Sequence, residues 1–168
     1  GGGTKLAAQH SQSPYSMFMN LAGMKIILPS TPYDMKGLLK SAIRDDNPVI
    51  SFEANRLMDF QEEVPEEEYT IPIGLADIKR PGSDITVIAI AWMVHEALAA
   101  AEEMEKEGIS VEVIDPRTLA PMDAGTIRTS VRKTGRLLVA DEAGPTAGAS
   151  AEIISLATED QETFRGLK

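Results

Sequence analysis

Gln9-His10-Ser11-Gln12 is the stretch of this chain best equipped for chemistry. It holds one of only two histidines, set between amides and a hydroxyl, after a small-residue lead-in (1–8) that opens on three glycines. An imidazole exchanges a proton near neutral pH, so His10 is a candidate general acid or base. The neighbouring Gln and Ser side chains can fix its tautomer or hold a polar substrate. Alone the motif is weak, because a lone histidine in a polar loop is more often an ordinary surface residue.

The elements that must carry this stretch are readable from periodicity. Residues 13–21 mix polar and apolar types, with Met17, Phe18, Met19 and Leu21 expected to pack beneath the histidine loop and Pro14 in the first turn of a short helix. Residues 24–28 form a short apolar run ended by proline, which suits a buried strand. Thr31 is placed as a helix N-cap, with Pro32 at the first helical position and Asp34 well sited against the dipole. Met35, Leu38, Leu39, Ala42 and Ile43 recur at helical spacing, which predicts an amphipathic helix over 32–44. After a turn at Asp45-Asp46-Asn47-Pro48, residues 49–52 read as a second strand, completing a parallel crossover unit.

Residues 59–68 carry six acidic side chains and no basic ones, which reads as a solvated connector. Beyond it strands are expected at 85–90, 111–114 and 137–140, with helices at 92–107, 123–133 and 148–157. Strands alternating with helices predict an α/β domain with a mostly parallel sheet. Three features there invite over-reading. His95 lies one turn into a helix and reads as a packing or surface residue. Asp115-Pro116-Arg117 follows a strand end and reads as an ion pair that shapes a loop. Gly144-Pro145-Thr146-Ala147-Gly148 precedes a helix but lacks the lysine of a phosphate loop.

Composition sets outer bounds. A chain of 168 residues fits one large domain or two small ones. The net charge of −10 argues against a nucleic-acid or anionic-membrane surface, either of which needs a basic patch. The absence of cysteine removes disulfides and thiolate catalysis, and is compatible with the cytoplasm. The longest apolar run, 85–94, is about half of what spans a bilayer.

Read in order, several segments form a family pattern: Gln9-His10-Ser11-Gln12, then Gly23-Met24-Lys25-Ile26-Ile27-Leu28-Pro29-Ser30-Thr31-Pro32, then Lys36-Gly37-Leu38-Leu39-Lys40, then Ala42-Ile43-Arg44-Asp45-Asp46-Asn47-Pro48-Val49. The pattern continues through 109–119, 134–138 and Asp141-Glu142-Ala143. It resembles the beta subunit of a thiamine-diphosphate-dependent 2-oxo acid dehydrogenase, the pyruvate, branched-chain or acetoin dehydrogenase group. The resemblance implies a fragment that enters and leaves mid-domain. Residues 1–58 would be the back half of a doubly wound pyrimidine-binding domain, 59–82 an acidic linker, and 83–168 an incomplete transketolase C-terminal-type domain. The family's cofactor-activating glutamate lies in the half absent from this sequence.

The resemblance also implies the chemistry. The assembled enzyme would decarboxylate a 2-oxo acid on thiamine diphosphate and pass the acyl group to a lipoyl arm on a dihydrolipoyl acyltransferase core. His10 would handle protons, and Gln9 and Gln12 would hold the cofactor side. The magnesium-diphosphate end would belong to an alpha subunit in a heterotetramer, since no Gly-Asp-Gly motif occurs here. Ala42, Ile43, Asp45 and Asn47 match a segment that folds around a structural potassium ion in the family. The alternative is that Arg44 caps the helix end without any metal. The compartment implied is the cytoplasm, or the mitochondrial matrix in a eukaryote. Other readings are a transketolase-type or deoxyxylulose phosphate synthase enzyme, disfavoured by the lack of basic residues around His10, and a non-catalytic assembly module.

Overall fold

A computed structural model of the chain describes residues 7–168; the glycines of the lead-in, within 1–6, lie outside the described residues. The first half builds the expected crossover. β1 (Lys25–Ile27) runs parallel to β2 (Val49–Ser51), joined by α2 (Pro32–Ile43), with Lys25 opposite Val49. Thr31 caps α2 by accepting the Asp34 N–H at 3.1 Å, and Pro32 takes the first turn. A single helical turn, α1 (Ala7–His10), and a 3-10 turn at Pro14–Met17 precede this unit. The short helix expected after the histidine stretch is this 3-10 turn, with Pro14 at its start.

The second half forms a four-stranded sheet in the order β3-β5-β4-β7. β4 (Ile85–Ala89), β5 (Val111–Asp115) and β7 (Leu137–Ala140) are parallel, and β3 (Asp77–Arg80) closes the β5 edge antiparallel. β3 falls inside the stretch read as linker, so the ordered sheet begins before residue 83. Its Asp-Ile-Lys-Arg sequence hid it, because this edge strand is stabilised by ion pairs rather than by an apolar face.

α3 (Met93–Lys106) packs on β4 and β5. α4 (Ala124–Thr134) starts at Asp123, which accepts the Thr126 N–H at 3.0 Å. It ends at Gly135, whose φ of 67° is left-handed backbone that favours glycine. α5 (Ala149–Glu159) is followed by α6 (Gln161–Gly166), an element not anticipated from sequence and capped by Asp160, which accepts the Thr163 N–H at 2.8 Å.

The two halves share one sheet and one core. β6 (Thr118–Ala120) leaves the second sheet through Arg117, at φ 57°, and pairs antiparallel with β1. Ile26 and Leu28 from the first half pack with Ile88, Ile114, Ile127 and Ile153 from the second. Each such side chain contributes roughly 1.5–3 kcal/mol through burial, so the halves are held firmly.

A buried ionic cluster sits at the same junction. Asp34 on α2 is fully buried and receives Arg117 Nη2 and Lys79 Nζ, each at 2.7 Å. Both cations also reach Asp77, at 2.9 Å. Beside them the Ser30 hydroxyl donates to Asp115 Oδ2 at 2.5 Å, and the Arg117 N–H donates to Asp115 Oδ1 at 2.8 Å. Burial pushes the Asp115 carboxyl up from 3.8 to about 6, against the opposing pull of Ser30, Lys79 and the Arg117 amide.

A raised carboxyl means that the folded chain binds more protons than the unfolded chain between these values. The contribution of this group, about 3 kcal/mol, is fully present below the unfolded value of 3.8 and is lost as the pH rises through 6. Melting curves of wild type and Asp115→Asn between pH 4 and 7.5 should therefore diverge, the wild type losing the advantage that the neutral variant keeps. A difference that stays constant across the range would mean that Asp115 does not titrate there.

Candidate functional site

The strand ends of both sheets converge. Leu28 follows β1, Phe52 follows β2, Ile90 follows β4 and Asp141 follows β7, all at carboxyl ends, where open α/β sheets place ligands. The histidine segment lies against this edge. Ser11, Gln12 and Ser13 line a groove of about 310 Å³ whose far wall is Ala143, Gly144 and Thr146. A smaller cavity of about 80 Å³ is lined by Gln12, Tyr15, Phe52, Glu53, Ala91 and Glu142, among others. The loop 144–148, which carried no function on its own sequence, is thus the partner wall of the histidine motif.

All four residues of α1 are exposed, including Gln9 and His10. Gln12 lines both cavities, while Gln9 and His10 stand on the exposed turn that immediately precedes Ser11. An exposed imidazole at a groove can exchange a proton with a bound molecule or with solvent. The wall beneath is aromatic. The Tyr15 ring meets Phe52 edge-on at 5.9 Å, and Phe18 meets it tilted at 5.9 Å.

Neither cavity is lined by a lysine or arginine. Arg56 stacks over Trp92 at 4.3 Å and approaches Glu96 and Glu142, the second of which lines the smaller cavity, at 3.9 and 4.0 Å. Among the described residues no group of three or more His, Asp or Glu side chains has metal-binding geometry. The groove offers the Gln12 amide and hydroxyls, the smaller cavity an aromatic floor beside the carboxylates of Glu53 and Glu142, and neither a counter-charge for a diphosphate. Gln12 and the serine hydroxyls offer hydrogen-bond partners to a neutral heterocycle.

The second histidine behaves as its sequence position suggests. His95 Nε2 lies 2.8 Å from the Ser30 carbonyl, and its ring packs against Phe60 at 4.5 Å. Arg117 forms ion pairs as expected, but with Asp34 and Asp77, while Asp115 takes its backbone amide. The segment after α2 is a structured turn. Asp45 accepts Lys25 Nζ at 2.5 Å and the Asn47 N–H at 2.9 Å, and its own N–H donates to the Ala42 carbonyl at 3.3 Å. The Lys25 and Asn47 bonds hold the Asp45 carboxyl down at about 2. Arg44 does not cap the helix with its side chain; its guanidinium reaches Glu68 in the acidic stretch.

Sequence reasoning missed Tyr15. Its hydroxyl donates to Asp141 Oδ1 at the end of β7, across 126 positions of chain, and nothing local marks such a pair. Among the described residues no helix is long and apolar enough to cross a membrane.

Residues 74–168 match the family described as Transketolase, C-terminal domain. The chain belongs to the transketolase C-terminal domain family. Residues 1–59 match the transketolase pyrimidine binding domain, so the histidine segment lies in that region and its facing loop in the C-terminal domain. The chain is 47% identical over 159 residues to the acetoin:2,6-dichlorophenolindophenol oxidoreductase subunit beta of Bacillus subtilis, a match covering 95% of this chain and 46% of the relative. It is 50% identical over 156 residues to the pyruvate dehydrogenase E1 component subunit beta of the same organism, covering 92% and 48%. A solved structure described as "Split gene transketolase, inactive beta4 tetramer" superimposes with a TM-score of 0.76 at 25% identity, over 87% of this chain and 48% of that one. The chain thus spans about half the length of the relatives it matches.

Proposed function

We propose that this chain is part of the beta component of a thiamine-diphosphate-dependent 2-oxo acid dehydrogenase, acting on pyruvate, a branched-chain 2-oxo acid or acetoin. The observation that carries this reading is the groove at the carboxyl strand ends, where amides and hydroxyls beside an exposed histidine face a wall without cations. When bound, thiamine diphosphate supplies the electron sink for decarboxylation. In this reading the His10 imidazole holds or delivers a proton at the reacting centre. Gln9 and Gln12 bind the ring side of the cofactor, and Tyr15 and Phe52 exclude water from the floor.

The diphosphate and its magnesium fall to an alpha subunit, and the acyl group passes to a lipoyl arm of a dihydrolipoyl acyltransferase core. A transketolase-type reading needs cations for a sugar phosphate, which neither cavity provides. Calorimetry tests the split site. The chain alone should show no magnesium-dependent uptake of thiamine diphosphate, whereas micromolar binding by the isolated chain would overturn the reading.

We also propose a structural potassium ion held by the Ala42 and Ile43 carbonyls with oxygens of Asp45 and Asn47. The last carbonyls of a helix lack intrahelical partners and carry the negative end of its dipole. The observation in favour is the turn itself, in which Asp45 and Asn47 fold back on the end of α2, the Asp45 N–H meeting the Ala42 carbonyl at 3.3 Å, while the Arg44 guanidinium turns away to Glu68. At fixed ionic strength, replacing potassium by tetramethylammonium should lower the melting temperature of the full-length subunit. The expected drop is about 3–6 °C when potassium starts near ten times its Kd, and Asp45→Ala should abolish it. A melting temperature indifferent to the exchange would leave an ordinary capped turn.

A further inference from the structure

The histidine segment reaches the body of the protein through very little. No residue from Ala7 to Pro14 is buried, and α1 contributes nothing to the core. Among the described residues the first that is buried is Tyr15, 5% exposed, five positions after His10. We propose that Tyr15 is a positioning residue: by donating its hydroxyl to Asp141 Oδ1, it fixes the histidine segment to the C-terminal domain and sets where His10 presents its imidazole. This rests on the catalytic reading of His10.

The geometry makes the contact specific. Asp141 stands directly after β7, and its Oδ1 also accepts the Ala143 N–H at 3.0 Å, which ties it to the loop facing Ser11 and Gln12. Its other oxygen is buried with no hydrogen-bond partner among the described residues, so the phenol is the one side chain seen to satisfy this carboxylate. The ring is held separately, edge-on to Phe52 after β2. Ring packing therefore sets the depth of the residue, while the hydroxyl chooses its partner. Burial and then the Asp141 carboxylate push the phenol's ionisation upward, so the hydroxyl remains a donor throughout the neutral range. Phe18 and Met19 pack on the core downstream of Tyr15, so losing the hydroxyl frees the upstream, histidine-bearing side selectively.

The test uses the full-length subunit assembled with its alpha partner. Tyr15→Phe keeps the ring and removes the donor. It should lower kcat about tenfold, the scale of a modest misplacement of a catalytic group, with KM for the 2-oxo acid within twofold. Asp141→Ala should lower kcat to a similar degree, and the double variant should fall no further. In a His10→Ala background Tyr15→Phe should change nothing, a result that general loosening of the fold would not give. If kcat of Tyr15→Phe stays within twofold while His10→Ala is impaired, the positioning role is overturned and the catalytic reading stands. A Tyr15→Phe loss that persists undiminished in the His10→Ala background also overturns it. If His10→Ala itself stays within twofold, it is the catalytic reading that fails.

Discussion

Replacing His10 with alanine in the full-length subunit, assembled with its partner, should slow turnover by roughly 30- to 900-fold. That corresponds to about 2–4 kcal/mol of transition-state stabilisation, overlapping the lower part of the range for a positioned general acid or base. The fold should be unaffected, because His10 is exposed at the end of a turn with no buried residue. Melting temperature and turnover measured on the same preparation separate the two effects. Turnover within twofold of wild type would remove His10 from the reaction and leave Gln9-His10-Ser11-Gln12 as an ordinary surface loop.

Arg117→Ala should produce the largest loss of stability among single substitutions outside the apolar core. The guanidinium bridges Asp34 and Asp77, and Asp34 has no exposure to water. Removing one partner of a buried ion pair leaves charge that solvent cannot reach, at a cost of about 3–5 kcal/mol. Lys79 remains on Asp34, which places the effect near the lower end of that range. Denaturant unfolding of wild type, Arg117→Ala, Asp34→Asn and the double variant measures it. The double variant should cost less than the sum of the singles, since neutralising Asp34 removes the charge that Arg117 was balancing. A single-variant loss below about 1 kcal/mol would mean that the cluster does not hold the halves together.

The elements legible in the sequence are those built from local signals. Thr31 and Pro32 mark the start of α2, and Asp123 and Gly135 bracket α4, because caps and left-handed stops act within a few residues. β1, β2, β4, β5 and β7 are short runs rich in apolar side chains, with β4 and β5 the most fully buried. What was not legible is non-local. β6 is three residues long, and its partner strand, β1, lies some ninety positions earlier. β3 carries charges because its partners are Asp34 and Arg117 rather than apolar side chains. In the candidate site the histidine motif could be read from residue types. Its facing wall at 143–146 and its anchor at Asp141 could not, since only the fold brings the two halves together.

The central claim is that this chain supplies one side of a thiamine site that a second subunit completes. Its most direct test is reconstitution of the full-length subunit with and without an alpha subunit, in magnesium and thiamine diphosphate, against pyruvate, a branched-chain 2-oxo acid and acetoin. The account predicts turnover of at least one of these only when both chains are present, with neither chain active alone. Turnover by the subunit without a partner, or none from the pair with any of the three, would contradict it.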